Sequence, residues 1–91
     1  MMSADIPEHI RKIAHDRSVK VSLRIGRSGV SESTVEELNA QLSSRKVVKA
    51  KLNKGIVDDR ESKSALFEEL SQKTKSRLVD VRGNVAIYWR P

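Results

Sequence analysis

The sequence predicts an α/β (α+β) fold: a two-layer sandwich in the order αβαβαββ, with a four-stranded mixed sheet and its helices on one face. Three observations carry this expectation. Apolar residues switch between helical spacing and strict alternation along the 91 residues, capping or turn residues stand at the switches, and only Gly83-Asn84 separates the last two alternating segments. Parallel pairs joined by right-handed helical crossovers and closed by an antiparallel hairpin satisfy all three.

The first helix starts near Pro7, a residue suited to a first helical turn, and ends near Asp16 or Arg17; Ile6, Ile10, Ile13 and Ala14 follow helical spacing. From Val19 the period becomes two. Val19, Val21, Leu23 and Ile25 then share one strand face and Lys20, Ser22 and Arg24 the other. Ser31 can cap a second helix with Glu32, Glu36 and Glu37 in its first turns and Val35, Leu38 and Leu42 as its apolar stripe, stopping near Ser44. A second strand alternates Val48, Ala50 and Leu52 with Val47, Lys49 and Lys51. Asp58 or Asp59 can cap a third helix running to about Lys75, with Leu66, Phe67 and Leu70 as its apolar contacts. "RLVDVR" and "VAIYWR" read as strands, and Gly83 suits the first central position of a type II′ turn between them.

Residues 1–91 have room for one domain only. Eighteen Lys and Arg against twelve Asp and Glu give a formal charge of +6, a balance suited to polyanionic partners. The excess is uneven: residues 1–56 hold eleven basic and six acidic side chains (+5), residues 57–91 seven and six (+1). Without cysteine, disulfides, thiolate catalysis and cysteine-based metal sites are excluded. No apolar run reaches the roughly 20 residues of a membrane span, and "MMSADIPEHIRK" lacks the apolar core of a signal peptide. A soluble, cytoplasmic protein with no membrane partner is the expectation.

The stretch of most chemical interest is Gly26-Arg27-Ser28-Gly29, which leads from a basic-faced strand into a capped helix. Backbone N–H groups, a guanidinium and a hydroxyl around one point suit a phosphate, and glycine lets a nucleic-acid backbone come close. An empty strand-to-helix turn is the plainer alternative. The loop is not a Walker motif, because no Gly-Lys-Ser/Thr follows, and it lacks the third glycine of a dinucleotide fingerprint. Lys20, Arg24, Lys46, Lys49 and Lys51 form a candidate phosphate-tracking surface beside it; a merely solvated strand face is the competing reading. "DDRESK" reads as a helix start with local ion pairs.

His9 and His15 are six apart, off the i, i+4 spacing of a helical metal pair, and no nucleophile finds a base, so neither metal, cofactor nor catalysis is expected. Of the three aromatics, Phe67, Tyr88 and Trp89, only the last two lie on a strand, and neighbours there face opposite ways. If Trp89 joins Val85 and Ile87 inside, Tyr88 and Arg90 face outward. Recognition by backbone and shape therefore suits this chain better than stacking of several bases.

Together, "IAH" at the end of the first helix, "IGRSGVSESTVEEL", "VVKAKLN", "DRESK" and "GNVAIYWRP" resemble the CRM domain, from about Ile13 to Pro91, and most closely its free-standing YhbY-like form. The resemblance implies a fold similar to the C-terminal domain of bacterial translation initiation factor three. It implies a non-catalytic RNA-binding module of large-subunit ribosomal precursors, or of intron ribonucleoproteins in plant organelles. The family's G-x-x-G loop maps onto Gly26, Arg27, Ser28 and Gly29, with Arg24, Lys49 and Lys51 on its basic surface. A monomer that binds ribosomal precursor RNA in a pre-ribosomal particle is the expectation. The rival is an Alba-like architectural protein, which would dimerise and bind duplex DNA with little preference.

Overall fold

The computed structural model describes residues 6–27, 29–57 and 59–90. Its elements are α1 (Glu8–Ala14), β1 (Val21–Ile25), α2 (Glu32–Ser44), β2 (Val47–Leu52), α3 (Arg60–Lys73), β3 (Arg77–Arg82) and β4 (Val85–Trp89). They build the expected four-stranded mixed sheet, in the order β1-β2-β4-β3. β1 and β2 are parallel, while β4 runs antiparallel to both β2 and β3.

The caps act as the sequence predicts. Ser31 Oγ accepts from the Thr34 N–H at 3.2 Å and Asp59 Oδ2 from the Ser62 N–H at 2.9 Å, each satisfying an amide in a first helical turn. The alternative cap, Asp58, lies outside the described residues. α3 ends two residues earlier than expected, in a pair of bonds that reverse the chain: Ser76 N–H to Ser71 O and Lys75 N–H to Gln72 O. Lys75 takes the left-handed conformation there, with φ 54°. Gly83 has φ 58° and Asn84 does not turn positive, the sign pattern of a type II′ hairpin.

α2 and α3 cover one face of the sheet, where Leu23, Ile25, Val48, Ala50, Leu52, Ala86 and Tyr88 meet Leu38, Leu42, Phe67 and Leu70. The expectation of all helices on one face fails for α1. Its Ile10 and Ala14, with Ile6, pack on the opposite face against Val47 and Ile87, supported by Val79 and Trp89. The crossovers through α2 and α3 step across the sheet in one direction, so their right-handedness puts both helices on one side. α1 merely precedes β1 and is free of that rule.

This second layer corrects the reading of the aromatic strand. Tyr88 points into the main core and donates to Phe67 O at 2.9 Å, while Trp89 lies half-buried under α1, so both faces of β4 are covered. Arg90 does not simply face outward either: its guanidinium donates to Asn39 Oδ1, Ser43 Oγ and Thr74 O, clamping the ends of α2 and α3 together. The helix expected to reach Asp16 or Arg17 stops at Ala14, where a turn led by Asp16 begins. β1 also carries a register shift between Val21 and Leu23, which turns Ser22 toward α2, where it bonds Gln41.

Candidate nucleic-acid interface

Because β1 and β2 are parallel, both deliver their following loops to the same edge of the sheet. The ladder continues past β2, with Asn53 N–H bonding Ile25 O at 2.9 Å. The β3–β4 turn reaches the same edge, since Leu52 N–H bonds Asn84 O at 2.7 Å. Three connections thus converge where ligands of open α/β sheets commonly bind.

The Gly26–Gly29 segment closes on itself. The Gly29 N–H donates to Gly26 O at 2.9 Å, and Gly29 has φ 60°. A methyl group on Gly29 would lie 3.7 Å from Leu66 Cδ1 of α3, and one on Gly26 would lie 3.8 Å from Asn53 Nδ2. The loop therefore rests on α3 and on the β2 exit, and Arg27 is exposed at its tip. Ser28 lies outside the described residues.

Arg24 and Lys51 are register partners on adjacent strands, on the α1 side of the sheet and next to the loop. Lys49 shares that side but is half-buried, and its Nζ donates to Asp16 O at 3.2 Å, bracing the turn after α1. The same turn holds the Asp16 carboxyl below its usual range, chiefly through the Ser18 N–H and hydroxyl, with a smaller contribution from Lys49. Lys20 and Lys46 are exposed at the opposite ends of β1 and β2 from the loop. The structure thus gathers Arg24, Gly26, Arg27, Gly29 and Lys51 at one edge, with Lys49 behind them, and leaves Lys20 and Lys46 apart.

Two sets of cations escaped the sequence reading. Arg82, on β3, joins the α1 side of the sheet through its pairing with Val85, and Arg17 lies in the turn after α1 beside it. Arg60 and Lys63, at the start of α3, line a concavity of about 640 Å³ with Ser64, Val81 and Gly83. The alternation in "RLVDVR" was visible, but which strand it pairs with, and so which cations share a side, was not.

Charge is divided between the layers. α2 contains three carboxylates and no Lys or Arg (−3), and α3 three of each sign (0), so the rest of the chain carries +9, which with the −3 of α2 gives the net +6. The net positive charge thus lies outside α2, whose outer surface repels a polyanion.

A family model described as the CRS1 / YhbY (CRM) domain matches residues 2–90. The chain belongs to that family. It is a family of RNA-binding domains. The fold is also similar to the solution structure of the hypothetical protein SAV1595 from Staphylococcus aureus, described as a candidate RNA-binding protein. The TM-score is 0.75 and the identity 26%, over 91% of this chain and 81% of that one.

Proposed function

We propose that this protein binds structured RNA without catalysing a reaction on it, and that it serves as a cytoplasmic monomer on ribosomal precursor RNA during large-subunit assembly. The observation that carries the reading is the closed Gly26–Gly29 turn beside the Arg24–Lys51 pair, in a chain of an RNA-binding family. Because the Gly29 N–H is already committed to Gly26 O, the cationic contact at the loop belongs to Arg27. The glycines let an RNA backbone lie close, and Arg24 and Lys51 continue the contact along the sheet. A duplex recognised by backbone and shape suits this arrangement, which offers few exposed aromatic faces for stacked bases.

The test is titration of a folded large-subunit precursor RNA fragment and of a DNA duplex of equal length, with the oligomeric state measured in parallel. A monomer that prefers the RNA supports the reading. Equal affinity for both, with a dimeric protein, replaces it with the architectural, Alba-like alternative.

A further inference from the structure

α1 covers only part of its side of the sheet. The uncovered part carries a row of register partners running across all four strands: Arg24 on β1, Lys51 on β2, Val85 on β4 and Arg82 on β3. Adjacent strands are about 4.8 Å apart, so the row spans about 14 Å, with one apolar residue set among three cations. Directly below it, between the sheet and the turn after α1, is a concavity of about 280 Å³. Half-buried Val85 gives it an apolar wall above the buried Ala14 and Ile87, and His15, Arg17, Lys49 and Arg82 line it with polar and charged groups.

That pairing of surfaces is not what a phosphate alone requires. A solvated cationic face would track a backbone without an apolar hollow, and a purely apolar hollow would not be ringed by cations. The combination matches one nucleotide turned out of a helix: a flat, weakly polar base against the side chain of Val85, above the buried Ala14 and Ile87, with its flanking phosphates toward Arg82 and Arg17 on one side and Lys51 and Arg24 on the other. At about 280 Å³ the hollow is smaller than most sites for drug-sized ligands, which suits a single base.

The carboxylates nearby are already engaged. Asp80 Oδ2 accepts from Arg82 Nε at 3.2 Å and lies 3.8 Å from His15 Nε2, while Asp16 is turned back onto Ser18. Asp80 orients Arg82 through Nε only, and the side chain remains 71% exposed, so its terminal N–H groups face solvent at the rim. Lys49, held by Asp16 O, fixes the opposite wall.

We infer that the hollow beneath the Arg24–Lys51–Val85–Arg82 row receives one unpaired nucleotide of the bound RNA, such as a single-base bulge, next to the duplex held at the glycine loop. The inference rests on the RNA-binding reading above and sharpens it, from structured RNA in general to a helix interrupted by an extruded base.

Two hairpin RNAs test it, one fully paired and one with a single bulged 2-aminopurine, whose fluorescence reports unstacking and burial of that base. Wild type is expected to bind the bulged hairpin about tenfold more tightly, the scale of one modest contact, with a fluorescence change. Val85→Ser keeps the charges and is expected to lose most of that preference, with affinity for the paired hairpin little changed and a melting temperature lowered by about 4–8 °C. Arg82→Ala, at an exposed position that tolerates truncation, is expected to lower affinity for the bulged hairpin more than for the paired one. Equal wild-type affinity for the two hairpins, with no fluorescence change, overturns the inference while leaving RNA binding in place. Retained preference in both folded variants overturns it as well. If wild type binds neither hairpin nor the precursor fragment, the RNA-binding reading falls and this site with it.

Discussion

The two loop glycines share a motif but not a conformation, and alanine separates them. Gly29 has φ 60°, whereas Gly26 is not in the positive-φ region, and at neither position would an added methyl clash, its nearest neighbour lying at 3.7 or 3.8 Å. Gly29→Ala therefore costs the left-handed conformation alone, about 1–2 kcal/mol. Loss of freedom in the unfolded chain offsets about 0.4–1 kcal/mol of it. Gly26→Ala keeps that offset without the cost, and is expected to be neutral or slightly stabilising. The two variants should differ by about 1–2 kcal/mol, and about 4–8 °C in melting temperature for each kcal/mol in a domain of this size. Thermal denaturation followed by circular dichroism, checked by urea titration, measures the difference. On RNA the proposed function makes a separate demand: if Gly26 serves the close approach of the backbone, Gly26→Ala, fully folded, should bind more weakly than wild type. Equal melting temperatures, or a Gly26→Ala that is the less stable, would refute the conformational reasoning.

Lys75 occupies the left-handed position that ends α3, so Lys75→Gly is expected to raise the melting temperature modestly, the about 1–2 kcal/mol of strain removed exceeding the about 0.4–1 kcal/mol of freedom added to the unfolded chain. Ser31→Ala removes the α2 cap and should cost about 1 kcal/mol in urea denaturation, with the helix content of the native state unchanged. Tyr88→Phe deletes the buried bond to Phe67 O and should cost about 1–3 kcal/mol at neutral pH. Burial holds the Tyr88 phenol well above its ordinary value, so the folded state keeps its proton where the unfolded state loses it. The stability this contributes is complete below about pH 10 and falls as pH rises beyond it, and Tyr88→Phe should abolish that component of alkaline destabilisation.

Much of this fold was legible because local chemistry and tertiary structure agree. The Ser31 and Asp59 caps, the alternation in β2 and the Gly83-Asn84 turn each dictate a local geometry that the sheet then uses. The side chosen by α1 was not legible. Its Ile10 and Ala14 need an apolar partner, but Val47, Ile87 and Trp89 become one only after β2 and β4 pair, two elements far apart in sequence. The same gap hid Arg82, whose side is set by pairing with Val85. A single core would put one of Trp89 and Tyr88 inside and the other outside. With helices on both sides of β4, both are covered. In the candidate site, the sequence named the loop and Arg24, Lys49 and Lys51. It could not show that Lys49 is engaged by Asp16 O, whereas the place of Lys20 and Lys46 at the strand ends away from the loop follows from residue order alone.

The central claim is that an RNA phosphate meets the protein at the Gly26–Gly29 loop, and salt dependence of binding tests it most directly. Affinities of wild type and Arg27→Ala for the same structured RNA are measured over a series of salt concentrations. Losing one phosphate contact should weaken Arg27→Ala at every salt concentration and make its log–log slope shallower by about 1. An Arg27→Ala protein with the affinity and slope of wild type would contradict the account.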